Sequence, residues 1–444
     1  MKVAQLRRIE VAGYKSIRDP IDVEIAPLTI VAGANSSGKS SLIQPLLLLK
    51  QTLEAQFDPG PLRIDGDNVR FSHAREMTWD DGEEFTIGFS LAHRGVSLKY
   101  RVRNGFSKND EVDRHGATAL VDMTLHWYER NRPGGVTFME GPLDAKERES
   151  FAQAILGKRG SLGQFKPENL VRDRCYLVPS VRPKDLDSAM PFPFLLQYAY
   201  RLDLPLDVLH VPGIRGNPER DYRLTQVGTR FPGTFETYTA SVIQSWKDNS
   251  DQKPLLQRLG SWLRTLGLTW KVDVKPVDDT KVRLRVGRLP RARRGGARDL
   301  VNIADVGFGV SQVLPVLVAL LAAQPGQIVY VEQPEIHLHP RAQVALAEIL
   351  LERASEGVTV IAETHSGLLL RGVQRAIAQR KAPPDTVRLH WCTRNEDGAT
   401  VVSTATLDEA GRFGDWPEDF ADVELEVEAG YLDAAASALQ ETTR

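Results

Sequence analysis

The sequence predicts an α/β fold: a mixed sheet with flanking helices, interrupted by a long α+β insertion. Three observations predict it. An apolar, strand-like run at residues 28–32 leads into a glycine- and serine-rich loop and then a helical stretch. Two more short apolar runs, at 328–331 and 358–362, lie near the other end of the chain, each bounded by helical periodicity. Between these ends the pattern changes to alternating strands and loops, so the two ends of one α/β domain flank inserted material.

The chain has 444 residues, 42% of them hydrophobic and 26% charged, which is enough for a full core divided over two or more domains. Its formal net charge of −2 means that nothing global draws it to nucleic acid or a membrane, so such binding would need a local patch. Two distant cysteines, Cys175 and Cys392, exclude a disulfide framework or a cysteine-rich zinc site and fit a reducing cytoplasm. The N-terminus alternates polar and apolar residues and lacks the apolar core of a signal peptide. The most apolar stretches, 46–49 and 313–323, are far shorter than the roughly 20 residues that span a bilayer, and read as buried helices. A cytoplasmic protein without a membrane role is the expectation.

Along the chain, strands are expected at 4–11, 21–25 and 28–32, then a loop at 33–40 and a helix from Ser40 to about Ala55 containing Pro45, which should kink it. Residues 57–143 are strand-rich, with antiparallel strands at 85–91, 97–102 and 121–128. The stretch 145–209 reads as more helical, 235–266 as helices and 270–286 as strands. After Val301 the α/β alternation resumes: helix 309–323, strand 328–331, helix 341–353, strand 358–362, helix 367–380 and strand 387–392. The expected organisation is an N-terminal lobe (1–56), a strand-rich subdomain (57–143), an α+β insertion (144–300), a C-terminal lobe (301–395) and a tail (396–444).

The loop Gly33-Ala34-Asn35-Ser36-Ser37-Gly38-Lys39-Ser40, followed by Ser41, fits the pattern G-x-x-x-x-G-K-[ST] in the right context of strand, loop and helix. Gly33 and Gly38 permit backbone angles that L-residues avoid, so main-chain N–H groups can converge on phosphate oxygens. The helix that follows aims its positive end at the same anion. Lys39 adds a point charge for the β- and γ-phosphates, and the Ser40 hydroxyl is a ligand for Mg²⁺. ATP and Mg²⁺ are the expected cofactors.

Glu332 closes the apolar run 328–331, at the strand end where open α/β sheets hold ligands, and is read as a holder of Mg²⁺, directly or through water. The second run is followed by Glu363-Thr364-His365-Ser366, which puts His365 where it would contact a γ-phosphate. Between loop and acid lies Asp305-Val-Gly307-Phe-Gly309-Val-Ser311-Gln312 at a helix start, a second anion site. One nucleotide does not need two such sites in one chain, and a second subunit would explain the pair.

The order of these motifs resembles ABC-type ATPase heads rather than RecA-like or AAA+ motors. The wording EQPEIHLHP, with IEVAGYKSIRDPIDVEIAPLTIVAGANSSGKSSL near the start, is similar to the SMC-like branch, which includes double-strand-break-repair and overcoming-lysogenisation-defect ATPases. Within it the chain most resembles compact bacterial AAA-family ATPases, several of them in anti-phage systems. VGFGVSQVLPVLVALL, GRFGDWPEDF and LHVPGIRGNPER fit that group, though the middle of the chain is weakly covered. The resemblance implies that Lys39 and Ser40 bind phosphate and Mg²⁺, and that Gly309, Ser311 and Gln312 complete the nucleotide site of an opposite subunit in a dimer or higher oligomer. It also implies Glu332 as the Walker-B acid and His365 as the switch histidine. One departure matters: where the family has the glutamate that activates water, this chain has Gln333, an amide that accepts no proton. General-base catalysis is worth roughly 10²–10⁴-fold. Either Glu335 or Glu332 takes over, or hydrolysis is slow and ATP acts as a clamp. Glu335, His337 and His339 also offer a metal-ligand set, which the resemblance turns into a structural turn.

Lys281, Arg283, Arg285, Arg288, Arg291, Arg293, Arg294 and Arg298 form a stretch without acidic residues that could track a DNA or RNA backbone; a solvated strand face is the plainer reading. Tyr14-Lys15-Ser16 and Arg215 are weaker candidates for phosphate or domain contacts. The functional expectation is a nucleotide-gated ATPase in DNA repair or anti-phage defence, acting with a separate effector such as a nuclease or toxin. A scaffold switched by ATP without turnover, supported by Gln333, competes with it. A transporter ATPase subunit is disfavoured by HLHP after the acid and by the long gap between loop and signature.

Overall fold

In the computed structural model, residues 5–91, 94–102, 118–129, 132–148, 150, 165–183, 207–291, 299–414 and 429–435 are described. The six strands of the central sheet are, in chain order, β1 (Leu28–Gly33), β2 (Val208–Val211), β3 (Ile328–Glu332), β4 (Thr359–Thr364), β5 (Val387–Arg394) and β6 (Thr400–Thr406). Across the sheet they run β2-β3-β4-β1-β5-β6. The first five in that spatial order pair in parallel, and β6 closes the edge antiparallel to β5. The parallel strands are buried on both faces, which is why they read as continuous apolar runs rather than alternating ones. β4 therefore separates the loop strand β1 from the acid strand β3, with Glu332 and Glu363 side by side in register.

A second six-stranded sheet is antiparallel throughout and contains Ile21–Glu24, Leu6–Ala12, Glu84–Leu91, Arg94–Val102, Thr118–Glu129 and Arg132–Phe138, in that spatial order. Alternation along β1 sorts its side chains between two cores. Val31 joins the core shared with helix α1 (Lys39–Glu54) and the antiparallel sheet, whereas Leu28, Ile30 and Ala32 join the core under helices α2 (Phe308–Ala322), α3 (Pro340–Ser355) and α4 (Gly367–Ala378). The layers are thus antiparallel sheet, α1, central sheet and a helical layer. Leu46, Leu47, Leu48 and Leu49 of α1 are all buried, and burial of each is worth about 2 kcal/mol. The helix continues through Pro45.

Two local expectations change. The stretch 145–209, read as more helical with loops, is helical at 145–148 but contains in its described part the paired strands Phe165–Asp173 and Tyr176–Pro183, joined by a turn with Arg174 at φ 54°. Cross-strand pairing overrides the local helical preference there. Val208–Val211, which falls inside the expected insertion, is an edge strand of the central sheet and puts His210 beside Tyr330. A four-stranded antiparallel unit (Tyr222–Arg223, Val272–Asp278, Lys281–Gly287 and Leu300–Asn302) packs with helices Thr239–Asp248 and Lys253–Thr265 on the helical side of the central sheet. No described helix is long and apolar enough to cross a membrane.

Candidate functional site

The phosphate loop leaves β1 at Gly33, with φ 144°, turns through Ser36 at φ 60° and enters α1 at Gly38, with φ 99°. Both glycines are required by contact as well as by angle. A Cβ on Gly33 would stand 2.3 Å from the Cys392 carbonyl oxygen, and one on Gly38 would stand 2.0 Å from Thr400 Oγ1. The loop is braced from the sheet edge. Thr400 Oγ1 donates to the Ser37 carbonyl (3.0 Å), Arg394 Nε donates to the Ser36 carbonyl (2.8 Å), and the Ser16 and Thr400 hydroxyls lie 2.8 Å apart. Lys39 is buried, and its ammonium donates to the carbonyls of Gly33 (3.1 Å) and Ala34 (2.7 Å), which curls it over the loop. Burial lowers its pKa.

The acids converge from β3, β4 and the turn after β3. Ser40 Oγ lies 3.0 Å from each carboxylate oxygen of Glu363, and Tyr330 Oη donates to Glu363 Oε2 at 3.0 Å. Burial, with the charge of Glu332 alongside, raises the Glu363 pKa. Glu332 instead faces the edge strand: its Oε1 lies 3.1 Å from His210 Nε2, and its Oε2 accepts from the Gly213 N–H at 3.0 Å. Burial opposes its charge, but the His210 hydrogen bond and charge, the Gly213 N–H and Arg215 outweigh that and hold Glu332 below the usual carboxylate range.

Gln333 sits in the left-handed region at φ 43° and donates its N–H to the Glu363 carbonyl at 2.7 Å, so the chain turns sharply after the acid strand. That turn brings Glu335 back under β4. Glu335 Oε1 accepts from Thr364 Oγ1 (2.6 Å) and from the His365 N–H (3.0 Å), while its Oε2 is buried and has no hydrogen-bond partner. The His365 side chain hydrogen-bonds the main chain of Gly33; burial first, and then the charge of Lys39, lower its pKa and favour a neutral ring. His337 adopts φ 62° and its ring lies tilted at 35° to that of Phe308, 5.7 Å away, and His339 caps α3. Among the described residues no group of three or more His, Cys, Asp or Glu side chains is arranged to hold a metal ion.

The signature residues stand at the exposed start of α2, with Phe308 49% exposed and Ser311 Oγ donating to the Phe308 carbonyl at 3.0 Å. Gln312 is buried, and its amide donates to Arg215 and Gly216 carbonyls at 3.4 and 3.2 Å. Within one chain, then, Gly309 and Ser311 open the helix on the surface, whereas Gln312 points into the fold. Arg215 makes contacts between elements of the fold. It is buried, and it donates to the carbonyls of Pro212, Gln312, Glu332 and Gln333 at 2.9, 2.6, 2.8 and 2.9 Å. Lys15 donates to Gln44 at 3.2 Å, an inter-element contact.

The basic stretch is partly neutralised. Arg283 makes a two-pronged pair with Asp221 (2.7 and 3.1 Å), Arg285 donates to the Leu300 carbonyl (2.6 Å), and Arg288 lies 3.7 Å from Asp299. Lys281 and Arg291 are exposed, and Arg293 and Arg294 lie outside the described residues. Sequence reasoning missed Glu363, His210, Tyr330 and Thr400. Only Glu363 carried a signal, since it precedes His365 at the end of a buried strand just as Glu332 does.

A phosphate loop after β1, an acid at the end of β3 two places away across the sheet, a histidine just after the strand between them and a glycine-serine stretch at a helix start are the features of a P-loop nucleotide-binding fold. The sequence profile of the family described as "AAA domain, putative AbiEii toxin, Type IV TA system" matches residues 28–137 and 268–371, two segments that hold the phosphate loop, the glycine-serine stretch, Glu332 and His365. No curated protein matches the sequence. Solved structures similar to the chain include a Pyrococcus furiosus Smc head with an extended coiled coil bound to the C-terminal domain of ScpA (TM-score 0.44, 10% identity, covering 91% of this chain and 97% of that one). Others are an SmcHead bound to the C-winged helix domain of ScpA (0.43, 11%, 91% and 99%) and an SMC head domain from Thermotoga maritima (0.36, 9%, 90% and 98%).

Proposed function

We propose that the chain binds ATP with Mg²⁺ at the loop 33–41 and hydrolyses it slowly, in a dimer in which Gly309 and Ser311 of one subunit close over the nucleotide of the other. The observation that carries this reading is the convergence of a buried Lys39, the Ser40 hydroxyl and the carboxylates of Glu363 and Glu335 at one end of the central sheet. The residues fit the cofactors: Gly33 and Gly38 take the positive φ angles that turn main-chain N–H groups of the loop toward one anion, and Ser40 faces a carboxylate as a Mg²⁺ ligand would. Bound Mg²⁺ supplies charge neutralisation at the phosphates.

The chain's own groups do the rest. Main-chain N–H groups of the loop orient the phosphates, and Lys39 stabilises charge on the transferred group. Glu335 is the proposed base. One oxygen is anchored by Thr364 and His365, which leaves the buried, unpartnered Oε2 to accept a proton from water. His365, favoured as the neutral ring between loop and base, reports phosphate occupancy to Glu335 through its own N–H. Steady-state phosphate release tests this assignment. Glu335→Gln should lower it about 10²-fold and Gln333→Glu should raise it; an unchanged Glu335→Gln rate removes Glu335 as base.

We assign the biological role to DNA repair or anti-phage defence with a separate effector, nuclease or toxin; the toxin–antitoxin wording of the matching family supports the second context. Any DNA contact rests on Lys281, Arg291, Arg293 and Arg294 rather than on Arg283 or Arg285, whose donors are engaged internally. Gln333 favours a second reading, an ATP-held clamp with no turnover. An ATP-dependent dimer that releases no phosphate would establish that reading in place of the first.

A further inference from the structure

We infer that Glu363 on β4, rather than Glu332 on β3, is the carboxylate that faces Mg²⁺ together with Ser40 when nucleotide is bound, and that Glu332 is a positioning residue for the strand end. This inference rests on the nucleotide reading above. It starts from topology. β4 lies between β1 and β3, so Glu363 stands one strand, about 4.8 Å, nearer the phosphate loop than its register partner Glu332.

The side chains follow the same division. Glu363 is 5% exposed, and both of its oxygens lie 3.0 Å from Ser40 Oγ. Its other direct partner is the neutral hydroxyl of Tyr330, and the charge of Lys39 acts on it from nearby. Glu332 shares the Tyr330 hydroxyl with Glu363, but its two oxygens are engaged by His210 and the Gly213 N–H, and its Cβ sits 3.3 Å from where a Gly213 Cβ would be. Turning it toward Ser40 would break both bonds and leave the buried His210 Nε2 without its partner, at about 1–3 kcal/mol, with only Nδ1 still held by Asn68 Oδ1. Mg²⁺ needs only one or two protein carboxylates when phosphate oxygens and water fill its remaining positions. A hydroxyl and one buried carboxylate side by side beside Lys39 meet that need. Glu332 then fixes the end of β3 to β2 and the turn that follows it, and this holds Tyr330 and Glu363 in place from the next strand.

The test is binding of a fluorescent ATP analogue to the full chain, first in EDTA and then at increasing Mg²⁺, with electron paramagnetic resonance of Mn²⁺ as a direct readout of the metal. Wild type should bind nucleotide in EDTA and more tightly with Mg²⁺. Glu363→Gln should keep the EDTA affinity within about 3-fold but raise the half-saturating Mg²⁺ concentration about 10-fold or more and alter the Mn²⁺ spectrum. Glu332→Gln should shift the Mg²⁺ half-saturation less than about 3-fold. Glu363→Asp retains the charge and should fall between wild type and Glu363→Gln, which keeps the comparison available if the amide variant folds poorly. A 10-fold shift in Glu332→Gln with none in Glu363→Gln or Glu363→Asp overturns the inference while leaving the nucleotide site intact. Loss of EDTA binding in Lys39→Ala confirms that site independently, and equal binding by Lys39→Ala and wild type overturns the nucleotide reading itself.

Discussion

Arg215 Nη1 lies 2.6 Å from the carbonyl oxygen of Gln312, tying the signature helix α2 to the loop that follows β2. The same guanidinium also holds the carbonyls of Glu332 and Gln333, so one buried cation connects the helix that would meet a partner's nucleotide with the turn behind the acid strand. Four carbonyls and no carboxylate share that charge directly. Burial lowers its pKa, and the charges of Glu236, Glu335 and Glu332 partly offset the loss of water.

Arg215→Ala should therefore cost about 2–4 kcal/mol by urea unfolding, because several buried acceptors lose their donor at once. Arg215→Lys should recover less than half, since an ammonium cannot reproduce the planar fork. If Arg215→Ala changed stability by under about 0.5 kcal/mol, the guanidinium would not be the connection described.

The loop glycines make a second prediction. Gly38→Ala places a Cβ 2.0 Å from Thr400 Oγ1 and 2.8 Å from Ser16 Oγ at φ 99°, so the loop must move away from β6. We expect a cost of about 1–3 kcal/mol in thermal unfolding and loss of nucleotide binding. A variant that retains both would show that the loop does not need this geometry.

Glu236 gives a pH prediction. Burial, against the opposing charge of Arg215, raises its carboxyl to about 7, and its Oε2 is buried without a hydrogen-bond partner. The ordinary value is 4.5, so the folded protein takes up this proton before the unfolded chain does. Its contribution to stability then grows as pH falls through about 7 and is complete below 4.5. Glu236→Gln removes the penalty of the buried charge. It should be more stable than wild type at pH 8, with the gap closing toward pH 4.5; a pH-independent gap would contradict the burial argument.

Much of the fold was legible because β1, β3 and β4 are buried on both faces and must be apolar throughout. The phosphate loop was legible because Gly38 and Lys39 are dictated by local geometry. What sequence could not give was set across the sheet. His210 reaches Glu332 only because a strand far upstream pairs with β3, and Thr400 braces the loop from a segment read as tail. Glu332 and Glu363 look equivalent along the chain, each closing a buried strand. Only the order β3-β4-β1 distinguishes which one stands beside Ser40.

Within 145–209 the helical reading holds at 145–148 and gives way to strands at Phe165–Asp173 and Tyr176–Pro183 for a related reason; 151–164 and 184–206 lie outside the described residues. Paired strands there alternate around a turn at Arg174, and their partner residues are fixed by pairing rather than by propensity. Val208–Val211 is four residues long, too short to announce itself as part of a sheet assembled from distant segments.

The central claim is that the loop around Gly38 and Lys39 is a triphosphate cradle. Isothermal titration of the purified full chain with ATP and Mg²⁺ tests it most directly. Saturable uptake near one nucleotide per chain, lost in Lys39→Ala while that variant keeps the wild-type circular dichroism spectrum, is the result this structure predicts. No uptake by the wild type, or equal uptake by Lys39→Ala, would contradict it.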